Sequence, residues 1–310
     1  MKQTQQPEEY AYLVKRAGQA AIIAASLLII VKLVAWMVTG SSSILAALTD
    51  SLMDVTTSII NLFAIKVALQ PADKEHRFGH GKAESLAGLV QAAFISGSSV
   101  FLMINGISAV INNHQIVATN LGISVMILSL VVTLALVLFQ SYVVKKTNSM
   151  AIKADSLHYR TDIVLNGAVL LAIVLAGYGW GWADGVFAIA VSLYILHGAW
   201  EIGCQSIDAL MDKQLPQEDN ELILKLAYKV EGVRGVHDLR TRSSGYIKFI
   251  QLHLELDDGQ SLYDAHNKAD KLEFGLQAAF PGADILIHLD PISVVPIEKR
   301  NEAINIDAPV

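Results

Sequence analysis

The 310-residue chain has a single cysteine, Cys204, which excludes an intrachain disulfide framework and any multi-cysteine zinc module. Charge is scarce as well. Asp, Glu, Lys and Arg make up 17% of the residues, against about a quarter in an ordinary soluble domain. With 53% hydrophobic residues, that deficit excludes a disordered chain and disfavours a purely soluble enzyme. The formal charge of −6 gives no basic bias, so no nucleic-acid partner is expected. No glycine-rich phosphate loop precedes a Lys-Ser or Lys-Thr pair, which argues against an ATP-driven pump.

Long apolar runs are what the sequence does have. Six stretches hold the ~20 mostly apolar residues that a membrane helix requires. They centre on GQAAIIAASLLIIVKLVAWMV, SILAALTDSLMDVTTSIINLFAIKVAL, AGLVQAAFISGSSVFLMINGISAVI, LGISVMILSLVVTLALVLFQSYVV, TDIVLNGAVLLAIVLAG and ADGVFAIAVSLYILHGAW. The N-terminal MKQTQQPEEY is acidic and polar, and the first run is too long for a signal-peptide core, so it is expected to remain as a span. Beyond Asp212 charges become frequent: residues 213–310 hold 11 Lys/Arg and 16 Asp/Glu, against 12 and 13 in the first 212. The expected organisation is an all-α membrane domain of six transmembrane helices over 1–212, a soluble domain over 213–292 and a loose C-terminal tail over 293–310.

Lys and Arg alternate between the loops. They precede the first run (Lys2, Lys15, Arg16), follow the second (Lys66, Lys74, Arg77, Lys82) and follow the fourth (Lys145, Lys146, Lys153). TGSSS, NNHQIVATN and YGWGWADG contain none. The positive-inside rule then places both termini and the soluble domain in the cytoplasm. Trp36, Trp180 and Trp182 fall at the opposite ends, where interfacial aromatics belong. Lys32 is expected to snorkel to the outer interface. Gly97, Ser98, Ser99 and Gly106 suit close helix packing or a dimer contact. His114 and His197 read as structural.

Two runs carry acids. Asp50 and Asp54 are spaced i, i+4, as are His158 and Asp162, so each pair shares one helix face. A carboxylate at mid-membrane costs about 2.5–3.5 kcal/mol on insertion scales. Three of them need protons or a cation. Taken singly, Asp50 reads as a turn cap and His158 as a helix-end residue. Together the two pairs supply three carboxylates and one imidazole, enough to close a tetrahedron around a divalent metal. For the pairs to meet, the fifth helix has to begin near Asn148, inside NSMAIKADSL, which predicts a wet cytosolic vestibule holding Asp155 and Arg160.

Further ligand chemistry lies outside the runs. ADKEHRFGHGK brings Asp73, His76 and His80 into one short loop, which is either a three-ligand site with an open position or a solvated polar loop. The soluble part reads as helix (217–229), strand (VHDLRTR), strand (YIKFIQLHLEL), helix (SLYDAHNKADKLEFGLQAAF) and strand (ADILIHLD), an αββαβ order that suits a small α+β sandwich. His253 shares a strand face with Gln251 and Glu255, and His288 shares one with Asp290. With His237 and His266 nearby in sequence, imidazoles on separate elements beside a carboxylate suit zinc.

SSSILAALTDSLMD, QPADKEHRFGHGKAESLA, ADSLHYRTD and VHDLRTR together resemble the cation diffusion facilitator family, on its bacterial YiiP/FieF-type branch of zinc and ferrous-iron efflux proteins. The resemblance runs from about Leu13 to Pro291. It implies an intramembrane transport site of Asp50, Asp54, His158 and Asp162, a loop site of Asp73, His76 and His80, and a cytoplasmic binuclear site of His237, His253, His266, His288 and Asp290. It also implies a homodimer in the bacterial inner membrane, a ferredoxin-like cytoplasmic domain, and a salt-bridge interlock on Lys82 and Asp212. One departure stands out: Leu289 occupies a position where a polar residue is expected.

Metal binds deprotonated carboxylate and imidazole, so metal and protons compete for the same side chains. The expected activity is therefore metal/proton antiport with export polarity, and not catalysis by an enzyme. The donor set ranks zinc first, ferrous iron second and cadmium third. The cytoplasmic ions would serve as structural and regulatory ions. Two other classes are weighed: a membrane-anchored divalent-metal sensor, and a proton-coupled exporter of small organic molecules. Neither needs both the deep acids and the clustered histidines.

Overall fold

The computed structural model describes residues 7–39, 42–112, 120–177, 180 and 182–299. Six long helices come first: α1 (Pro7–Thr39), α2 (Ser42–Ala68), α3 (Lys82–Asn112), α4 (Asn120–Thr147), α5 (Met150–Gly177) and α6 (Ala183–Leu210). Pro7 starts α1 where its missing N–H costs nothing, and Glu8 and Glu9 follow in the positive first turn. Asn148 separates α4 from α5. It sits in the left-handed region (φ 51°), which Asn tolerates, and its N–H closes α4 on the Val144 carbonyl. Ser149 then caps α5 by accepting from the Ile152 N–H at 3.3 Å. The fifth helix thus begins well ahead of its apolar run.

By length and composition, α1, α3, α4 and α6 can cross a membrane. The other two helices are of similar length and carry charged residues within them: Asp50 and Asp54 in α2, and Lys153, Asp155, Arg160 and Asp162 early in α5. Ile23, Met37, Phe63, Phe101, Ile111 and Trp200 point outward. So broad an apolar exterior is untenable in water and natural in lipid.

Helix α5 lies at the centre of this unit, Tyr10–Ile207. Ala154 and Leu157 pack on α3 and α6 beside Ile95, Val191 and Ile195. Ala151 and Ile152 face Val14, Ile65 and Val143 of α1, α2 and α4. Small residues bring α3 onto α6. A Cβ on Gly185 would lie 2.7 Å from the Gly106 carbonyl oxygen, and Ser99 donates to the Ser192 carbonyl. Gly106 therefore packs within the chain, whereas Gly97 meets nothing within 4 Å.

The second unit runs from Asp208 onward. Its elements are α7 (Gln217–Ala227), β1 (Val233–Ser244), β2 (Ile247–Leu256), α8 (Leu262–Ala279) and β3 (Asp284–Pro291). β1 and β2 form an antiparallel hairpin, and α8 crosses over so that β3 joins β2 in parallel, in the order β1-β2-β3. Ile250, Leu252, Leu254 and Leu256 alternate onto one face and are buried with Ile223, Leu272 and Leu276 of the two helices. The opposite face carries Gln251, His253 and Glu255. Of the segment expected as a loose tail, residues 293–299 are held: Val295 is buried, the Ser293 N–H donates to Asp258, and Lys299 donates to Asp238 at 2.9 Å. Residues 300–310 lie outside the described residues, as do Lys2 and His114.

Gly185→Ala is expected to cost about 1–3 kcal/mol through overpacking against α3. Gly97→Ala should stay within about 0.5 kcal/mol. Thermal unfolding of the two variants in detergent checks the difference.

Candidate metal centres

The two helices that carry acids meet along a polar seam. Asn61 Nδ2 donates to the Ala151 carbonyl at 3.3 Å, Ser58 Oγ and Tyr159 Oη are 2.8 Å apart, and Asp54 Oδ1 lies 2.9 Å from His158 Nε2. Asp54, Ser58 and Asn61 follow the helical period on α2, so one face supplies all three contacts. Asp162 joins the pair: one ligand atom each from Asp54, His158 and Asp162 lies within 4.8 Å of the others. Asp50 stands one turn before Asp54 on α2, with its side chain outside the described residues.

Among the described residues, Asp155 does not open onto a vestibule. Asp155 is fully buried (0% exposed), sealed by Gln140 of α4, whose Nε2 donates to Oδ2 at 2.6 Å. Helix packing dries the start of α5 that the polar sequence had suggested was wet. Arg160 does reach the exterior, donating to Ser141. Lys32 does not snorkel. Its ammonium donates to the Ala47 carbonyl (3.1 Å) and Ser51 Oγ (2.7 Å) of α2. Sequence reasoning also missed Glu84. This buried carboxylate accepts from Tyr10 of α1 at 2.6 Å, from Ser149, and from the Ala151 N–H, and so pins the start of α5.

The loop after α2 folds around Asp73. Oδ1 accepts from the Glu75 N–H (2.9 Å) and the His76 N–H (2.6 Å), an Asx-type turn. The His76 N–H chiefly, with the Glu75 N–H, holds the Asp73 carboxyl below the usual carboxylate range. Gly79 takes the left-handed conformation that returns the chain (φ 78°). His76 Nδ1 then lies 3.5 Å and His80 Nε2 3.4 Å from Asp73. Ligand atoms around a tetrahedral zinc-sized ion stand ~3.3–3.4 Å apart at bond lengths of ~2.0–2.1 Å. One ligand atom each from Asp73, His76 and His80 lies within 4.8 Å of the others, so the loop could hold an ion.

In the cytoplasmic unit the strand register does the assembly. His237 pairs with His253, and His253 with His288, so three imidazoles form one rung across the sheet. The next rung is Gly235, Glu255 and Asp290. Asp290 is the hub: His253 Nδ1 is 2.7 Å from Oδ2, His288 Nε2 3.2 Å from Oδ1, and His237 Nε2 3.5 Å from Oδ2. Three nitrogen donors converging on one carboxylate fit a borderline divalent ion. Asp238, in the left-handed bulge after His237 (φ 47°), is held low in pKa by Lys299. His266 is not brought in. It sits on α8, on the far face of the sheet, beside Asp270 at 3.5 Å. Leu289 points into the apolar core, so its position supplies no side chain to the cluster face. Lys82 opens α3, and Asp212 meets Arg242 at 3.1 Å within the cytoplasmic unit.

Two family models match the chain: the cation efflux transmembrane domain over residues 19–211 and the cation efflux protein cytoplasmic domain over residues 215–292. Curated relatives named cation-efflux pump FieF match along nearly their whole length. The Klebsiella pneumoniae subsp. pneumoniae protein is 49% identical over 293 residues, covering 94% of this chain and 98% of its own. The Yersinia enterocolitica protein is 50% identical over 292 residues, with 94% and 97% covered. The Escherichia coli O139:H28 protein is 47% identical over 298 residues, with 96% and 99% covered.

Asp73→Asn is expected to weaken divalent-ion binding at the loop by at least about tenfold, with the loss undiminished from about pH 7 to pH 6. A carboxyl whose pKa lies below the ordinary ~3.9 is ionised throughout that window and loses its charge only as pH falls through the lowered value. Ion titration of the full chain carrying His158→Ala and Asp290→Ala isolates the loop and checks this.

Proposed function

The chain belongs to the cation efflux family, a family of membrane transporters, and from that premise we propose that it exports a divalent metal from the cytoplasm in exchange for protons. The observation that carries the proton coupling is the 2.9 Å contact between His158 Nε2 and Asp54 Oδ1. At that distance the two atoms share a proton. A metal held by both atoms needs them ~3.3–3.4 Å apart and without the proton. Starting from an imidazolium–carboxylate pair, metal at Nε2 takes the place of that proton, Nδ1 keeps its own, and one proton leaves to solvent.

Asp50, Asp54, His158 and Asp162 hold the transported ion in this reading, with zinc ranked first and ferrous iron and cadmium next. Facing the cytoplasm, the pair loads metal; facing a more acidic exterior, protons return to it and expel the ion. The six helices all span the bacterial inner membrane, α2 and α5 turning their acids inward and both termini remaining cytoplasmic. Residues 1–212 form the transport domain and 213–292 a ferredoxin-like cytoplasmic domain. The loop triad of Asp73, His76 and His80 holds an exchangeable ion.

The cytoplasmic cluster binds structural or regulatory ions through His237, His253, His288 and Asp290. His266 reaches such a site only from a second copy, which fits a homodimer closed through this domain.

Asp54→Ala or His158→Ala should lower metal-driven proton flux in reconstituted vesicles by at least about tenfold, the loss that removing even an outer partner of a ligand produces. Unchanged flux in either variant would reject the assigned site.

A further inference from the structure

We propose that Glu255 is a positioning residue of the cytoplasmic ion cluster: its carboxylate fixes His237 as the Nδ1–H tautomer and leaves Nε2 bare for an ion. The role rests on the reading of His237, His253, His288 and Asp290 as an ion site.

Glu255 Oε1 lies 2.9 Å from His237 Nδ1, and both side chains are sealed, at 2% and 5% exposure. A carboxylate accepts and does not donate, so the proton of this bond sits on Nδ1. Removed from water, the shorter of the ring's two carboxylate contacts is the one to Glu255, and that bond sets both the tautomer and the ring plane. The other ring nitrogen then points at Asp290, with Nε2 3.5 Å from Oδ2. A bare nitrogen and a carboxylate oxygen facing each other repel unless a proton or a metal cation stands between them. Their spacing is close to the ~3.3–3.4 Å edge of a tetrahedral ion site.

The sheet is built to admit this carboxylate. Gly235 pairs with Glu255 in the register, and a Cβ there would lie 2.5 Å from Oε2 and 2.7 Å from the carboxyl carbon. Gly235 does not take a positive φ, so its backbone would accept alanine. It is the carboxylate that excludes a side chain. Register shifts between Val233 and Gly235 and between His237 and Arg240 bracket the stretch that carries Gly235 and His237, and regular pairing resumes from Arg240 to Ser244. Glycine, glutamate and histidine therefore act as one unit: the first makes room, the second orients, the third binds.

The test uses the full-length protein with 15N-labelled histidine, assigning His237 by the signal lost in His237→Gln. In metal-free wild type the ring should be the Nδ1–H tautomer. Glu255→Leu should shift it toward Nε2–H and weaken zinc binding at the cluster about 10–100-fold. Gly235→Ala should do the same without touching either partner, by displacing the carboxylate. Glu255→Gln, whose amide oxygen still accepts from Nδ1–H, should keep the tautomer and recover most of the affinity. An unchanged tautomer in both Glu255→Leu and Gly235→Ala, or a shifted tautomer with unchanged zinc affinity, would overturn the role. A wild-type cluster that takes up no zinc would instead overturn the ion-site reading, whatever the tautomer.

Discussion

A carboxylate enclosed among apolar helices must find a proton or a cation, and in this protein that demand converges on the contact between α2 and α5. Asp54 meets His158 there, Asp162 lies within reach, and Ser58–Tyr159 and Asn61–Ala151 zip the same seam. The rest of the helical unit serves this seam. The first turns of α5 pack against α1, α2, α3, α4 and α6, and the buried Glu84 holds its first turn to α1 and α3. A carboxylate in such a contact cannot stand there unpaired and ionised.

Much of this was legible in the sequence because helices convert spacing into geometry. The i, i+4 pairs predicted one face each, and the polar NSMAIKADSL predicted an early start to α5, which begins at Met150. A fuller reading of α2 would have found Ser58 and Asn61, since polar residues at helical spacing in an apolar run mark a seam. What spacing cannot give is the partner across the gap. Asp155 reads as a vestibule acid until Gln140 closes over it, and Lys32 reads as a snorkelling lysine until α2 offers it two acceptors. Among the described residues, four helices are long and apolar enough to cross a membrane.

The cytoplasmic unit shows the same division. Period-two alternation placed His253 with Glu255 and His288 with Asp290, but only the register put His237, His253 and His288 on one rung. The residue that bonds His237 lies on the neighbouring strand and is made possible by a glycine opposite it, a relation that no single-strand pattern contains. His266 looked equivalent to the other histidines by proximity in sequence. The crossover helix puts it on the far face, which turns a ligand prediction into a statement about assembly. Leu289 follows from alternation alone: flanked by two residues that face the cluster, it has to face the core.

The central claim is that one pair of atoms trades a proton for a divalent ion. Calorimetric titration of the purified protein with zinc near neutral pH, repeated in buffers of different ionisation enthalpy, counts the protons released. The account predicts net release on binding, with the share belonging to the intramembrane site lost in His158→Ala. Tight binding at that site with no proton released in any buffer would contradict it.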